Sequence, residues 1–293
     1  MNKKIILVTG ASSGIGKETA LTLAKQGHTV IIHGRNAEKT KAVFMEIQKE
    51  TKNKNLDMMV ADLSLMSEVK DFAEKIKAKY NRLDVLINNA GGQFANKREV
   101  TKEGHEKTMA INVFAPFLLT YLLIDVLKNS PSARVVTVSS ESYRQGGKPI
   151  LDDIELKNNY SFTRAYGLSK RYVFWVMRHF VKEAEMQGIT NITFNSVEPG
   201  SAVTDLARIS MQTPLMKILG ILWRPMMWSV QKAAATSIYL ATSEEVADVT
   251  GKFYGNLKEK NIKPKFISQD GEQTIWDYCM KVCAPYIGQG GSK

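Results

Sequence analysis

The chain has 293 residues, 44% of them hydrophobic and 24% charged, the balance of an ordinary globular protein with enough apolar residues for a sizeable core. Its formal net charge is +11, but the lysines (Lys39, Lys41, Lys70, Lys75 and others) are interleaved with acids, and no arginine-rich or aromatic-basic tract stands out. This argues against a nucleic-acid partner and suits a mild attraction for a small anionic ligand.

In chain order, Met1–Lys4 leads into an apolar run, residues 5–8, too short for a leader peptide or a membrane span; it reads as a buried first strand. Thr9-Gly10-Ala11-Ser12-Ser13-Gly14-Ile15-Gly16 follows it and opens a helix over 16–26. Gly10 allows a tight turn, Gly14 lets the backbone approach a ligand, and Gly16 lets helix and strand pack. The helix start then offers unpaired N–H groups to a pyrophosphate. A strand before this turn and a helix after it make a dinucleotide site the expectation. The second strand, 29–33, ends in His33-Gly34-Arg35-Asn36, with no acid to hold a ribose 2′-hydroxyl and a guanidinium suited to a 2′-phosphate, so NADP(H) is expected over NAD(H).

The alternation continues with a helix over 37–51, a strand over 57–61 followed by Asp62-Leu63, a helix over 65–80, a strand over 85–88 leading into Asn89-Ala90-Gly91, a helix pattern over 104–128, and a strand over 134–138 closed by Ser139-Ser140. A helix over 165–187, a strand over 192–197, a helix over 229–242 and a strand over 252–254 complete it. The strands are continuous Val/Ile/Leu runs, as where both sheet faces are covered. The expected fold is therefore α/β: a doubly wound (Rossmann) parallel sheet of about seven strands, with residues 1–293 as a single domain. Residues 201–228 interrupt the pattern with a Met-, Leu- and Trp-rich insertion that suits a substrate lid; an interface, a membrane-surface patch or plain packing are its alternatives. Cys279 and Cys283 have no His or Cys in ligand spacing, and the four histidines are dispersed, so free thiols and no metal are expected.

Tyr166 and Lys170, four residues apart on the 165–187 helix, share a face. A fixed cation beside a phenol favours its phenolate, which makes the pair a proton donor and acceptor for alcohol–carbonyl chemistry. Read singly, the polar residues have plainer uses: Ser139-Ser140 suits a strand end and cap, Asn112 a bridge across helical backbone, and Asn88-Asn89 a turn.

Taken together, these residues resemble the short-chain dehydrogenase/reductase family over nearly the whole chain. The resemblance rests on Thr9–Gly16 in its Thr-Gly-x-x-x-Gly-x-Gly spacing, Asp62-Leu63, Asn88-Asn89-Ala90-Gly91, Asn112, Ser140, Tyr166-x-x-x-Lys170, and Pro199-Gly200 with Thr204. It implies a hydride transfer between NADP(H) and an alcohol or carbonyl, with Tyr166 as proton donor and acceptor. Lys170 would lower the Tyr166 pKa and hold the nicotinamide ribose, Ser140 would hold the carbonyl oxygen, and Asn112 would hold a relay water. It places Gly10, Ser12, Ser13, Gly14, Ile15, Gly16 and Arg35 on the phosphates, Asp62 and Leu63 at the adenine, Asn89, Ala90 and Gly91 in the wall of the cofactor pocket, and Pro199, Gly200 and Thr204 at the nicotinamide. The long stretch between Ser140 and Tyr166 and the Gly251-Lys252-Phe253-Tyr254 run are most similar to the retinol dehydrogenase-like branch. Ser12-Ser13 and Glu198, where that branch often has an Asn-containing turn and a His, depart from it.

The branch's membrane-anchoring N-terminal helix has no counterpart here, and a cytoplasmic location is expected. The expected substrate is a small apolar carbonyl or alcohol, with weak membrane-surface contact through 215–228 and homodimerisation through 104–128 and 165–187 as open possibilities. Two readings from other classes stand beside the enzyme: a non-catalytic NADP-binding sensor or scaffold, and a membrane-surface interaction protein that works through the Met/Trp-rich segment.

Overall fold

Eight strands hydrogen-bond into one sheet of order β3-β2-β1-β4-β5-β6-β7-β8. They are β1 (Ile5–Val8), β2 (Thr29–Gly34), β3 (Leu56–Val60), β4 (Val85–Asn88), β5 (Ala133–Val138), β6 (Ile192–Glu198), β7 (Phe253–Gly255) and β8 (Lys258–Glu259). All neighbours pair in parallel except β8, which returns antiparallel along β7. The computed structural model describes residues 3–94, 96–200 and 228–288.

Successive strand residues face opposite sides, so each strand feeds two cores. Ile6 and Val8 pack under α1 (Gly14–Lys25), α2 (Ala37–Thr51) and α8 (Val230–Thr242), while Leu7 packs under α3 (Met66–Lys79), α7 (Phe162–Met186) and α9 (Gln269–Cys283). That two-sided burial is why the strands are uninterrupted apolar runs. The strand order reverses between β1 and β4, and open sheets of this kind bind ligands in the crevice beyond the carboxyl ends of their strands at such a reversal.

The structure departs from the sequence expectations at three places. The expected count of about seven strands gains β8, too short for periodicity to reveal. The pattern over 104–128 divides into α4 (Lys107–Met109), a π turn (Ala110–Phe114), α5 (Ala115–Leu122) and α6 (Ile124–Lys128). Pro116, which has no N–H to continue an α ladder, sits just after the π turn. The third departure is α9, which no expectation covered. The Ser268 hydroxyl accepts the Gly271 N–H at 3.1 Å to start it, and Ile275, Trp276, Cys279 and Cys283 form its buried face. Thr204 and all but the last residue of the candidate lid, 201–228, lie outside the described residues; Trp228 itself lies against Gly200. Among the described residues, no helix is long and apolar enough to cross a membrane.

Candidate active site

The glycine-rich turn is built from both sides of the strand-order reversal. Thr9 Oγ1 accepts the backbone N–H groups of Asn89 at 3.0 Å and Ala90 at 2.9 Å, and donates to the Ile87 carbonyl at 3.3 Å. The Asn89 amide donates to the Thr9 carbonyl at 2.8 Å, so Asn88-Asn89-Ala90-Gly91 locks the turn in place. Asn88 faces inward, donating to Thr120 and Thr137. Gly10 has φ 66°, and a Cβ there would press into the Ala90 backbone, so only glycine fits.

Ser12 and Ser13 lead into α1, with Gly14 and Ile15 in its first turn. Ser13 is its N-cap residue but makes no side-chain cap bond, and the first turn carries no acid. The helix start therefore keeps its electropositive, uncapped amides beside a glycine-lined approach, the arrangement that accepts a pyrophosphate. Arg35, exposed at the end of β2, is paired with no carboxylate among the described residues, while Asn36 beside it caps α2 through the Lys39 N–H.

His33 holds this turn, and sequence reasoning missed it. Its Nδ1 accepts the Gly10 N–H at 3.2 Å and its Nε2 lies 3.1 Å from the Ala61 carbonyl, which places the proton on Nε2. Burial brings its pKa down to about 4, so the ring is neutral at physiological pH. Asp62 Oδ1 accepts the backbone and hydroxyl of Ser64 at 3.0 and 2.8 Å, whereas the Leu63 side chain lies in the core and leaves only its backbone to a ligand.

The proposed reacting groups converge from three elements. Ser140 ends the β5 segment, its Oγ accepting the Ser142 N–H at 3.2 Å, so the plain reading of a cap holds for it. The same hydroxyl lies near enough to the Tyr166 phenol to favour its charged form. Ser139 turns the other way and ties β5 to α7 through the Lys170 carbonyl at 2.7 Å. Lys170 is buried, its Nζ donating to the Val138 carbonyl at 2.9 Å and standing 5.7 Å from the Tyr166 ring centroid.

Burial lowers the Lys170 pKa to about 8. Burial also raises the Tyr166 phenol above its ordinary value, opposed by the Ser140 hydroxyl. Burial, rather than Lys170, sets the direction of the phenol's shift in this arrangement. On a helix, side chains lean back toward the preceding turn, which carries this ammonium toward the Tyr166 ring.

Asn112 sits in the π turn, where its Nδ2 donates to Gly92 O and Ser169 Oγ and its Oδ1 accepts Gly92 N, each near 2.9–3.0 Å. Both amide protons are thereby used, one on the Gly92 carbonyl and one on the Ser169 hydroxyl, rather than on helical backbone of its own segment as in the plain reading. A Cβ on Gly91 would crowd Asn112 Oδ1 and Lys170 Nζ, so the Asn-Asn-Ala-Gly turn also borders the reacting groups. Arg171, next to Lys170, escaped sequence reasoning as well. Its buried fork donates to the Tyr143 carbonyl at 2.7 and 3.2 Å and to the Gly147 carbonyl at 2.8 Å, pinning the turn after Ser140 to α7. Pro199 and Gly200 follow β6 at the same end of the sheet; Gly200 takes φ 73°.

Glycine turn, uncapped helix start and a Ser-Tyr-Lys cluster thus meet at one end of one sheet. Residues 4–214 match the family described as short chain dehydrogenase. The chain belongs to the short-chain dehydrogenase family. Human retinol dehydrogenase 13 is 34% identical, over 93% of this chain and 82% of the relative. Human polyprenol dehydrogenase is 36% identical, over 93% and 83%. A short chain dehydrogenase from Shigella flexneri 2A str. 301, complexed with NADP, superposes with a TM-score of 0.69 at 27% identity, over 88% of this chain and 98% of that one. This short-chain dehydrogenase is an oxidoreductase acting on CH–OH groups, in the retinol dehydrogenase-like branch, on a fold that binds NAD(P).

Proposed function

We propose that this dehydrogenase interconverts an apolar alcohol and its carbonyl with NADP(H), using Tyr166, Lys170, Ser140 and Asn112. The observation that carries the reading is the buried Lys170 ammonium, held by the Val138 carbonyl 5.7 Å from the Tyr166 ring centroid, with the Ser140 hydroxyl beside the phenol at the strand ends. A nicotinamide bound beside them supplies or takes up the hydride. Tyr166 gives a proton to the developing alkoxide in reduction and takes the alcohol proton in oxidation. Ser140 holds the reacting oxygen and stabilises the charge that grows on it.

Lys170, with its pKa near 8, is mostly protonated at neutral pH and restores the Tyr166 proton. Asn112 would hold the relay water through its main-chain carbonyl, because its amide protons are spent and Pro116 cannot supply the usual i+4 N–H to that carbonyl. The Ser13–Gly16 helix start and Asn89–Gly91 would cradle the cofactor, Asp62 and the Leu63 backbone its adenine, and Pro199, Gly200 and Thr204 its nicotinamide end. Arg35, paired with no carboxylate among the described residues, and the lack of an acid within His33–Asn36 support NADP(H) over NAD(H).

The names of the relatives, retinol and polyprenol dehydrogenase, and the Met- and Trp-rich composition of 201–228 support an isoprenoid-like apolar substrate. Residues 1–293 would act as one domain in the cytoplasm. The presence of serine, tyrosine and lysine together weighs against a non-catalytic sensor.

The test is nucleotide titration by fluorescence followed by a panel of apolar aldehydes. NADPH should bind more tightly than NADH, wild type should consume it with a long-chain or isoprenoid aldehyde, and Tyr166→Phe should lose turnover while retaining NADPH affinity. Near-wild-type turnover in that variant would overturn the assignment.

A further inference from the structure

Glu198, one of the departures from the branch pattern, has no part in the chemistry above. It is only 4% exposed, at the end of β6 just before Pro199-Gly200. One carboxylate oxygen accepts the Gly200 N–H at 2.8 Å; the other accepts Lys260 Nζ at 2.5 Å. The same ammonium donates to Glu141 Oε1 at 3.0 Å, and Glu141 is the residue immediately after Ser140. Glu141 is steadied in turn by Arg144 at 3.0 Å. Although burial works against it, the two carboxylates hold the Lys260 ammonium above its ordinary pKa.

The hairpin that delivers Lys260 is itself constrained. Asn256 and Leu257 both take positive φ, 51° and 62°, the backbone of a tight two-residue turn between β7 and β8. A leucine there is costly, and the turn is tied down by the Leu257 N–H donating to Thr236 Oγ1 at 3.1 Å. Beneath the charges lies Gly255, where a Cβ would collide with Glu198 Oε1 and Lys260 Cε. An exposed ion pair would carry little weight. Here one carboxylate is buried and fully engaged, and both acids belong to the backbone segments that flank the reacting centre.

We propose that Lys260 is a positioning residue, whose ammonium joins Glu198 and Glu141 so that the Pro199-Gly200 backbone and the Ser140 turn keep a fixed separation across the nicotinamide end of the site. The proposal rests on the reading that the nicotinamide lies against Pro199-Gly200 and that Ser140 holds the reacting oxygen. Without the clamp the two loops drift apart, while the adenosine half of the cofactor, held by the glycine turn and Arg35, is untouched.

The experiment uses the full chain and two ligands: NADPH, and 2′,5′-ADP, which carries the adenosine half without nicotinamide. Lys260→Met should weaken NADPH several-fold and leave 2′,5′-ADP unchanged, and should cut kcat with an apolar aldehyde about tenfold, the scale of a sub-ångström misplacement of reacting groups. Lys260→Arg, which can still bridge two carboxylates, should recover most of both losses. Glu141→Gln removes the charge that ties the serine turn to Lys260 and Arg144 and leaves Glu198 in place, so it should lower kcat and leave NADPH affinity alone.

Wild-type NADPH affinity and kcat in Lys260→Met would overturn the proposal. So would an equal loss of both ligands, which marks general damage to the fold. If the wild-type protein binds NADPH but reduces no aldehyde, the enzyme reading falls, and the split between the two ligands still decides the clamp.

Discussion

His33 is a residue whose importance lies in a single proton. Its Nδ1 lone pair takes the Gly10 N–H and its Nε2–H reaches the Ala61 carbonyl, so one neutral tautomer joins the glycine turn to β2 and to the end of β3. Burial brings its folded-state pKa from 6.5 to about 4. Between those values the unfolded chain binds a proton that the native chain refuses. Stability is therefore full above pH 6.5 and drains away as the pH falls toward 4, by about 3 kcal/mol over the whole window. In urea unfolding at pH 7 and pH 4.5, wild type should lose more stability on acidification than His33→Gln, which has no imidazole to titrate. Equal losses in the two proteins would show that His33 is not the sensitive group. Nothing in the sequence marked this histidine, because its role comes from two backbone atoms contributed by other strands.

At the scale of elements, α9 and the π turn show two ways in which a helix escapes or misleads a reading of periodicity. Trp276 on α9 meets Phe117 edge-on at 5.0 Å and Phe180 at 4.8 Å, and stacks on His179 at 4.4 Å. The helix thus seals the core beneath α5 and α7. Trp276→Ala should cost about 3–5 kcal/mol, as truncation of a large buried aromatic does, measured by denaturant unfolding. A loss well below that would mean that α9 only decorates the core. The signal for this helix was present: Ser268 as a cap, acids in its first turn, and Cys279 and Cys283 one turn apart. The 104–128 segment erred in the opposite direction. Its apolar content reads as one long helix, and Pro116 was the residue that announced the break.

For the molecule as a whole, one sheet buries both cores, so β1 and β4 cannot lose their neighbours on one face without exposing the other. Thermal unfolding should accordingly run as a single transition across residues 1–293, with calorimetric and van't Hoff enthalpies in agreement. Saturation with NADPH at 100 times its Kd should add about 2.7 kcal/mol, seen as a rise in Tm. Two resolved transitions would place a domain boundary that the sheet does not suggest.

What the sequence determined by itself was local. Thr9–Gly16, Asn88–Gly91 and the Tyr166–Lys170 pair were legible as motifs because each is packed into a few consecutive residues, where glycine's freedom or one helical turn fixes the geometry. The parallel sheet was legible because burial on both faces writes itself into composition along every strand. Tertiary structure decided the partners: that Lys170 serves the Val138 carbonyl and sits over the Tyr166 ring, that Arg171 pins the Ser140 turn, and that Lys260 reaches Glu141 and Glu198 across 119 and 62 positions. Periodicity reports how deeply a side chain is buried. Which distant polar atom then satisfies it is settled only when the strands lie side by side, since a buried donor must find its acceptor wherever the fold has put one.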